Sequence, residues 1–179
     1  MEIPADLLRL WRLGGRDPLD AGDGWISTFE PIGLILMAPP KHGGYWCTPR
    51  NSIAFAGTGG DGVHYSFVTM PDTPLDSSPI VMTVPMSDYP NIIVGADLRE
   101  FLALGCRFGY FSLEQLAYDF DNTTDLLLTR DFDSDATPAD RSLLTRLSDA
   151  FAVKPWDDPA ARLETLAAQY EHLLDVLVA

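Results

Sequence analysis

Basic side chains are scarce. Lys and Arg number 12 against 26 Asp and Glu in a chain of 179 residues, so the formal net charge is −14. A surface of that sign repels phosphate backbones and argues against nucleic acid as a partner. The same surface steers cationic proteins towards itself, or simply keeps the chain soluble. Cysteine is nearly absent: Cys47 and Cys106 are the only two, without a disulfide-dense pattern or a signal-peptide pattern to suggest an oxidising compartment. Long apolar runs are missing as well. The longest passes through Gly33–Ala38, far short of the roughly 20 residues that a membrane-spanning helix needs. These absences lead to the expectation of a soluble, cytoplasmic protein with no membrane partner.

What is present suits an ordinary globular chain. Hydrophobic residues make up 46% and charged residues 21%, and the length fits one domain over residues 1–179 with a real core. The 14 glycines and 14 prolines fall mostly in the first half, which predicts turns early and helices late. Residues 4–13 carry Pro4 near a helix start and Leu7, Leu8, Leu10 and Trp11 at helical spacing, with Gly14-Gly15 as the stop. From about residue 25 to 96 the texture changes to short apolar runs: Leu34–Ala38, Ser52–Ala56, Val63–Thr69, Ile80–Val84 and Ile92–Ala96 read as strands. No helical pattern fits between them, so parallel βαβ units lack their crossovers and an antiparallel meander is expected.

Beyond residue 96 the period becomes helical. Asp97–Leu104 stops at Gly105, Ser112 with Gln115 resembles a capping box, and Thr137-Pro138-Ala139-Asp140 opens a helix to about Val153. Asp158-Pro159 opens the last, with Leu163, Leu166, Ala167, Tyr170, Leu173, Leu174 and Leu177 on one face. The expected class is α+β: one helix, an antiparallel sheet of five or six strands, then four helices.

One stretch invites a cofactor. Gly57, Gly59 and Gly62 satisfy G-x-G-x-x-G, the fingerprint of a dinucleotide loop. That loop works because a helix follows it and offers its N-terminal amides to pyrophosphate. Here Val63, Tyr65 and Phe67 alternate with polar residues instead, which predicts a strand. A P-loop fails for want of Gly-Lys-Ser/Thr. Gly57, Gly59, Gly60, Asp61 and Gly62 are therefore read as a structural hairpin connection with Asp61-Gly62 at its turn, and no cofactor is expected.

Other constellations are weaker. His64, expected to face away from Tyr65, has no nucleophile on a strand-turn-helix elbow in Ser52 or Cys47. His42, His64, His172 and the two cysteines show no metal-ligand spacing. Asp131, Asp133 and Asp135 begin like a calcium loop, but Ala136 and Ser142 occupy its required glycine and glutamate positions. No catalytic centre or metal site is expected. Asp119, Asp121, Asp125, Asp131, Asp133 and Asp135 form a second kind of candidate, either a solvated linker or a docking surface for a basic protein. Tyr45 and Trp46, beside Gly43-Gly44, are candidate aromatic anchors, or else pack against the first strands.

Residues 48–67, Thr48-Pro49-Arg50-Asn51-Ser52-Ile53-Ala54-Phe55-Ala56-Gly57 and Gly59-Gly60-Asp61-Gly62-Val63-His64-Tyr65-Ser66-Phe67, resemble the SUKH superfamily of Smi/Knr-like regulators and bacterial immunity proteins. Pro79-Ile80-Val81-Met82 is similar to the family's next strand, and Asp97–Leu102 to the helix that follows its sheet. The match spans about 25–105, leaving 106–179 as a helical C-terminal extension and Pro71–Pro79 as a departure. The resemblance implies an α+β fold, no catalytic residues, and a module that binds and neutralises a toxin. The alternative is a small-molecule or nucleotide-binding domain that uses Gly57–Gly62.

Overall fold

The computed structural model describes residues 2–17, 24–131 and 136–176. Six strands follow one another in a single antiparallel sheet whose spatial order is the chain order. They are β1 (Gly24–Ile26), β2 (Ile35–Lys41), β3 (Ser52–Gly57), β4 (His64–Val68), β5 (Ile80–Thr83) and β6 (Asn91–Gly95). Helix α1 (Ala5–Leu13) precedes the sheet; α2 (Leu98–Gly105), α3 (Phe120–Thr129), α4 (Pro138–Phe151) and α5 (Pro159–Tyr170) come after it. The α+β meander follows from short strands joined by turns too brief for crossover helices.

Strand β4 shows how the layers are arranged. All five of its residues are buried, although its sequence alternates. Tyr65 and Phe67 enter the main core with Phe101 and Leu102 of α2 and residues of α1 and α4. Val68, on the other face, joins Val81, Ile93 and Leu166 of α5. Helices thus cover both faces of the β4–β6 half. At the centre of the main core, the Phe101 ring lies 4.6 Å from Tyr65, 5.2 Å from Tyr110 and 5.8 Å from Phe55. Both phenols are satisfied: Tyr65 donates to Tyr110 O at 2.6 Å, and Tyr110 donates to Leu102 O at 2.8 Å. Burial pushes both hydroxyls well above the ordinary phenol range, so neither ionises at neutral pH.

The C-terminal segment is tied to the sheet through polar bonds. Asn51 Nδ2 donates to Leu173 O at 2.9 Å, and Asp175 N–H donates to Asn51 Oδ1 at 2.8 Å. Arg162 of α5 makes a two-pronged pair with Glu100 of α2, at 2.6 and 3.0 Å. These bonds place α5 beside β6, and α4 and α5 share the core with α1 and α2 rather than trailing from it.

Some elements differ from the sequence reading. β1 has only three residues and gave no alternating pattern to detect. β2 runs on to Lys41 through Pro39 and Pro40; its pairing with β3 slips between Leu36 and Lys41, the irregularity where a strand tolerates proline. Ser112 does not open an α-helix: Phe111–Ala117 is a 3₁₀ segment, and Asp119, accepting from Asn122 N–H, caps α3 instead. α5 ends at Tyr170 instead of continuing through Leu173 and Leu174, and Leu177 lies outside the described residues.

Candidate functional site

The glycine stretch joins β3 to β4, with Gly57 paired to His64. Val63 N–H donates to Gly60 O at 3.0 Å, and the two residues between them, Asp61 and Gly62, have φ of 47° and 74°. Two successive left-handed residues make the tight turn whose twist suits a hairpin. A strand follows, not a helix, so the amides that would hold a pyrophosphate are not supplied. Gly62 answers a second demand as well: a Cβ there would fall 2.4 Å from the Tyr45 ring. Gly62→Ala is therefore expected to cost about 1–3 kcal/mol, from left-handed strain and displacement of Tyr45. Urea unfolding would measure it; an unchanged midpoint would contradict this packing.

Tyr45 is held over His64, their rings 5.6 Å apart and nearly parallel at 21°. His64 is buried, and both its nitrogens are engaged. Nδ1 lies 2.7 Å from Gly62 O, a pure acceptor, so Nδ1 carries the proton. Nε2 then accepts from the Thr48 hydroxyl at 3.1 Å, and that hydroxyl oxygen accepts from Tyr45 N–H at 3.2 Å. Gly43 closes over the ring, leaving no room for a Cβ. This geometry makes His64 a pin for the 42–48 loop. Thr48 is covered, and Ser52 donates to Pro49 O. Burial also pushes the Cys47 and Cys106 thiols up, which disfavours thiolates at neutral pH.

Burial is the main reason that the His64 pKa is lowered, and nearby His42 adds to it. The folded state therefore binds the proton less readily than the unfolded state, whose histidine titrates near 6.5. The stability from neutral His64 is fully present above that value and is lost as pH falls through the folded pKa. Urea midpoints measured at pH 7 and pH 5 should show a drop that His64→Gln reduces. An equal drop in both proteins would contradict the role given to His64.

Four of the acidic candidates lie at or beside α3. Asp119 caps α3, Asp121 and Asp125 are exposed on it, and Asp131 lies 3.7 Å from Arg107. Asp133 and Asp135 lie outside the described residues. Trp46 is 64% exposed and Tyr45 44%, but neither lines the groove that adjoins Asp119. That groove, of about 410 Å³, runs between β6, the end of the 3₁₀ segment and α5. Tyr89 and Tyr118 flank it with 80% and 54% of their surface exposed, and Glu164 and Glu171 supply carboxylates. No Lys or Arg is among its described lining residues. Sequence reasoning missed all four of these. The available signal was Tyr89 standing between Asp88 and Pro90, a large aromatic in a turn where no strand requires it.

A second groove, of about 580 Å³, lies on the uncovered β1–β3 half of the sheet. Gly57, Gly59, Gly60 and Gly62 form part of its wall, and Trp25, Tyr45, Lys41 and Glu30 are around it. Among the described residues, no group of three or more His, Cys, Asp or Glu is placed to hold a metal ion, and no helix is long and apolar enough to cross a membrane. No family model, no curated protein and no solved structure matches the chain.

Proposed function

We propose that this chain is a non-enzymatic protein-binding module that captures a basic partner on the carboxylate-rimmed groove beside β6, and that it acts as an immunity-type protein by covering a cationic toxin. The observation that carries the reading is the composition of that groove. Two large aromatics, Tyr89 and Tyr118, stand exposed, so that covering them takes apolar surface out of water, and the charges around them are carboxylates. Exposed tyrosines are typical anchors of an interface, while charges at the rim set the encounter rate more than the affinity. The net charge of −14 extends that attraction beyond the groove. The SUKH resemblance of residues 48–67 supports the same role.

Affinity capture from the producing cells tests it. Immobilised wild-type protein should retain a basic protein at low salt, and a Tyr89→Ala/Tyr118→Ala variant should not. Retention of the same proteins by both, or of no specific protein by either, would contradict the proposal.

A further inference from the structure

We infer that the groove on the β1–β3 face is a second binding site, independent of the partner surface, and that it takes a short zwitterionic peptide carrying an aromatic side chain. The two halves of the sheet differ on one face. Its β4–β6 half is sealed by α5 and the segment after it, with Leu166 packed on Val81 and Ile93. The β1–β3 half of that face has no such cover: Trp25 is 58% exposed, and the groove opens over Ile35 and Met37.

The groove is formed in advance of any occupant. Its 42–48 wall is pinned by the Thr48 hydroxyl donating to His64, by His64 donating to Gly62 O and by Tyr45 stacked on that ring. Its hairpin wall is built of glycines, so an occupant would meet backbone at close range. Its volume, about 580 Å³, falls within the range of small-ligand pockets. Trp25 and Tyr45 supply aromatic surfaces suited to a flat side chain.

The charges decide the class of ligand. Lys41 stands over the Trp25 ring, 5.9 Å from its centroid, and has no carboxylate partner among the described residues. Glu30 lines the same groove. The strand register separates the two charges. Gly24 pairs with Ala38 and Ile26 with Leu36, so Ser27 and Glu30 follow β1 towards the Ile35 end, while Lys41 closes the other end of β2. A ligand with a carboxylate at one end and an ammonium at the other satisfies both. A simple anion meets Glu30 and the strongly negative surface, and a simple cation leaves Lys41 unanswered. Separated charges with an aromatic group between or beside them describe a small peptide rather than a single amino acid or a nucleotide.

Glycyl-tryptophan, its N-acetyl form and its C-terminal amide are suitable probes, followed by NMR on ¹⁵N-labelled protein. The unmodified dipeptide should give saturable shifts at Gly57, Gly59, Gly60 and Gly62 and at the Trp25 indole N–H, and Trp25→Ala should abolish them. Lys41→Gln should weaken the free dipeptide roughly three- to five-fold, as expected for an exposed ion pair, and leave the amide unchanged. Glu30→Gln should do the same to the free dipeptide and leave the N-acetyl form unchanged. Absence of saturable shifts at millimolar dipeptide would overturn the inference. So would shifts centred on Tyr118, or Lys41→Gln and Glu30→Gln affecting all three probes alike.

Discussion

Phe101→Ala is expected to lower stability by about 3–5 kcal/mol. A chain of this size would lose roughly 6–20 °C in Tm. Phe101 is fully buried and is the point where α2 meets the sheet, with three aromatic rings, Phe55, Tyr65 and Tyr110, around it. Truncation leaves a cavity that those rings cannot close, because Tyr65 and Tyr110 are fixed by hydrogen bonds to Tyr110 O and Leu102 O. The effect reaches further than the core. Glu100, the next residue, holds Arg162, and α5 carries Glu164 of the partner groove. Thermal unfolding followed in the far and near ultraviolet should give one coincident transition for the variant, shifted down. A loss below about 1 kcal/mol would mean that α2 is not the cover that the packing implies.

The readable parts of the sequence were those set by near neighbours. Val63, Tyr65 and Phe67 alternate, so β4 was visible. Asp61-Gly62 is a turn by its own conformational preference. Thr137 to Asp140 forms its reciprocal cap within one turn, with both bonds present. The illegible parts depend on distant ones. β4 is buried on both faces because α5 returns to the sheet, and its tail is secured by a bond from Asn51 to Leu173, 122 positions away. Ser112 and Gln115 satisfy a helix-start pattern, but the chain there makes a 3₁₀ segment and the cap passes to Asp119.

The candidate sites followed the same rule. Of the six aspartates close in sequence, readable as a solvated linker or a docking surface, Asp119 caps α3, Asp121 and Asp125 are exposed on it, and Asp131 faces Arg107. The groove beside them gathers Tyr89, Tyr118, Glu164 and Glu171 from separate segments, and no window of sequence contains all four. The glycine stretch behaved differently. Its local chemistry pointed to a turn, and a turn is what it forms; that the same glycines wall a groove depends on Tyr45 and Trp25, which only the fold brings alongside.

Association kinetics with the captured partner test the protein-binding proposal most directly. Exposed anchors of this type contribute about 2 kcal/mol or more each, so Tyr89→Ala and Tyr118→Ala should each speed dissociation roughly 30-fold. Neutralising Asp119, Asp121, Glu164 and Glu171 to their amides should instead slow association and flatten its dependence on salt, with dissociation little changed. Asp119→Asn keeps the α3 cap, since Asn caps as well as Asp, so the variant tests charge without loosening the helix. Wild-type protein should therefore associate fast at low salt and much more slowly at high salt, and the neutralised variant slowly at both. An association rate indifferent to salt and to the four neutralisations, with dissociation unmoved by loss of both tyrosines, would contradict the proposal.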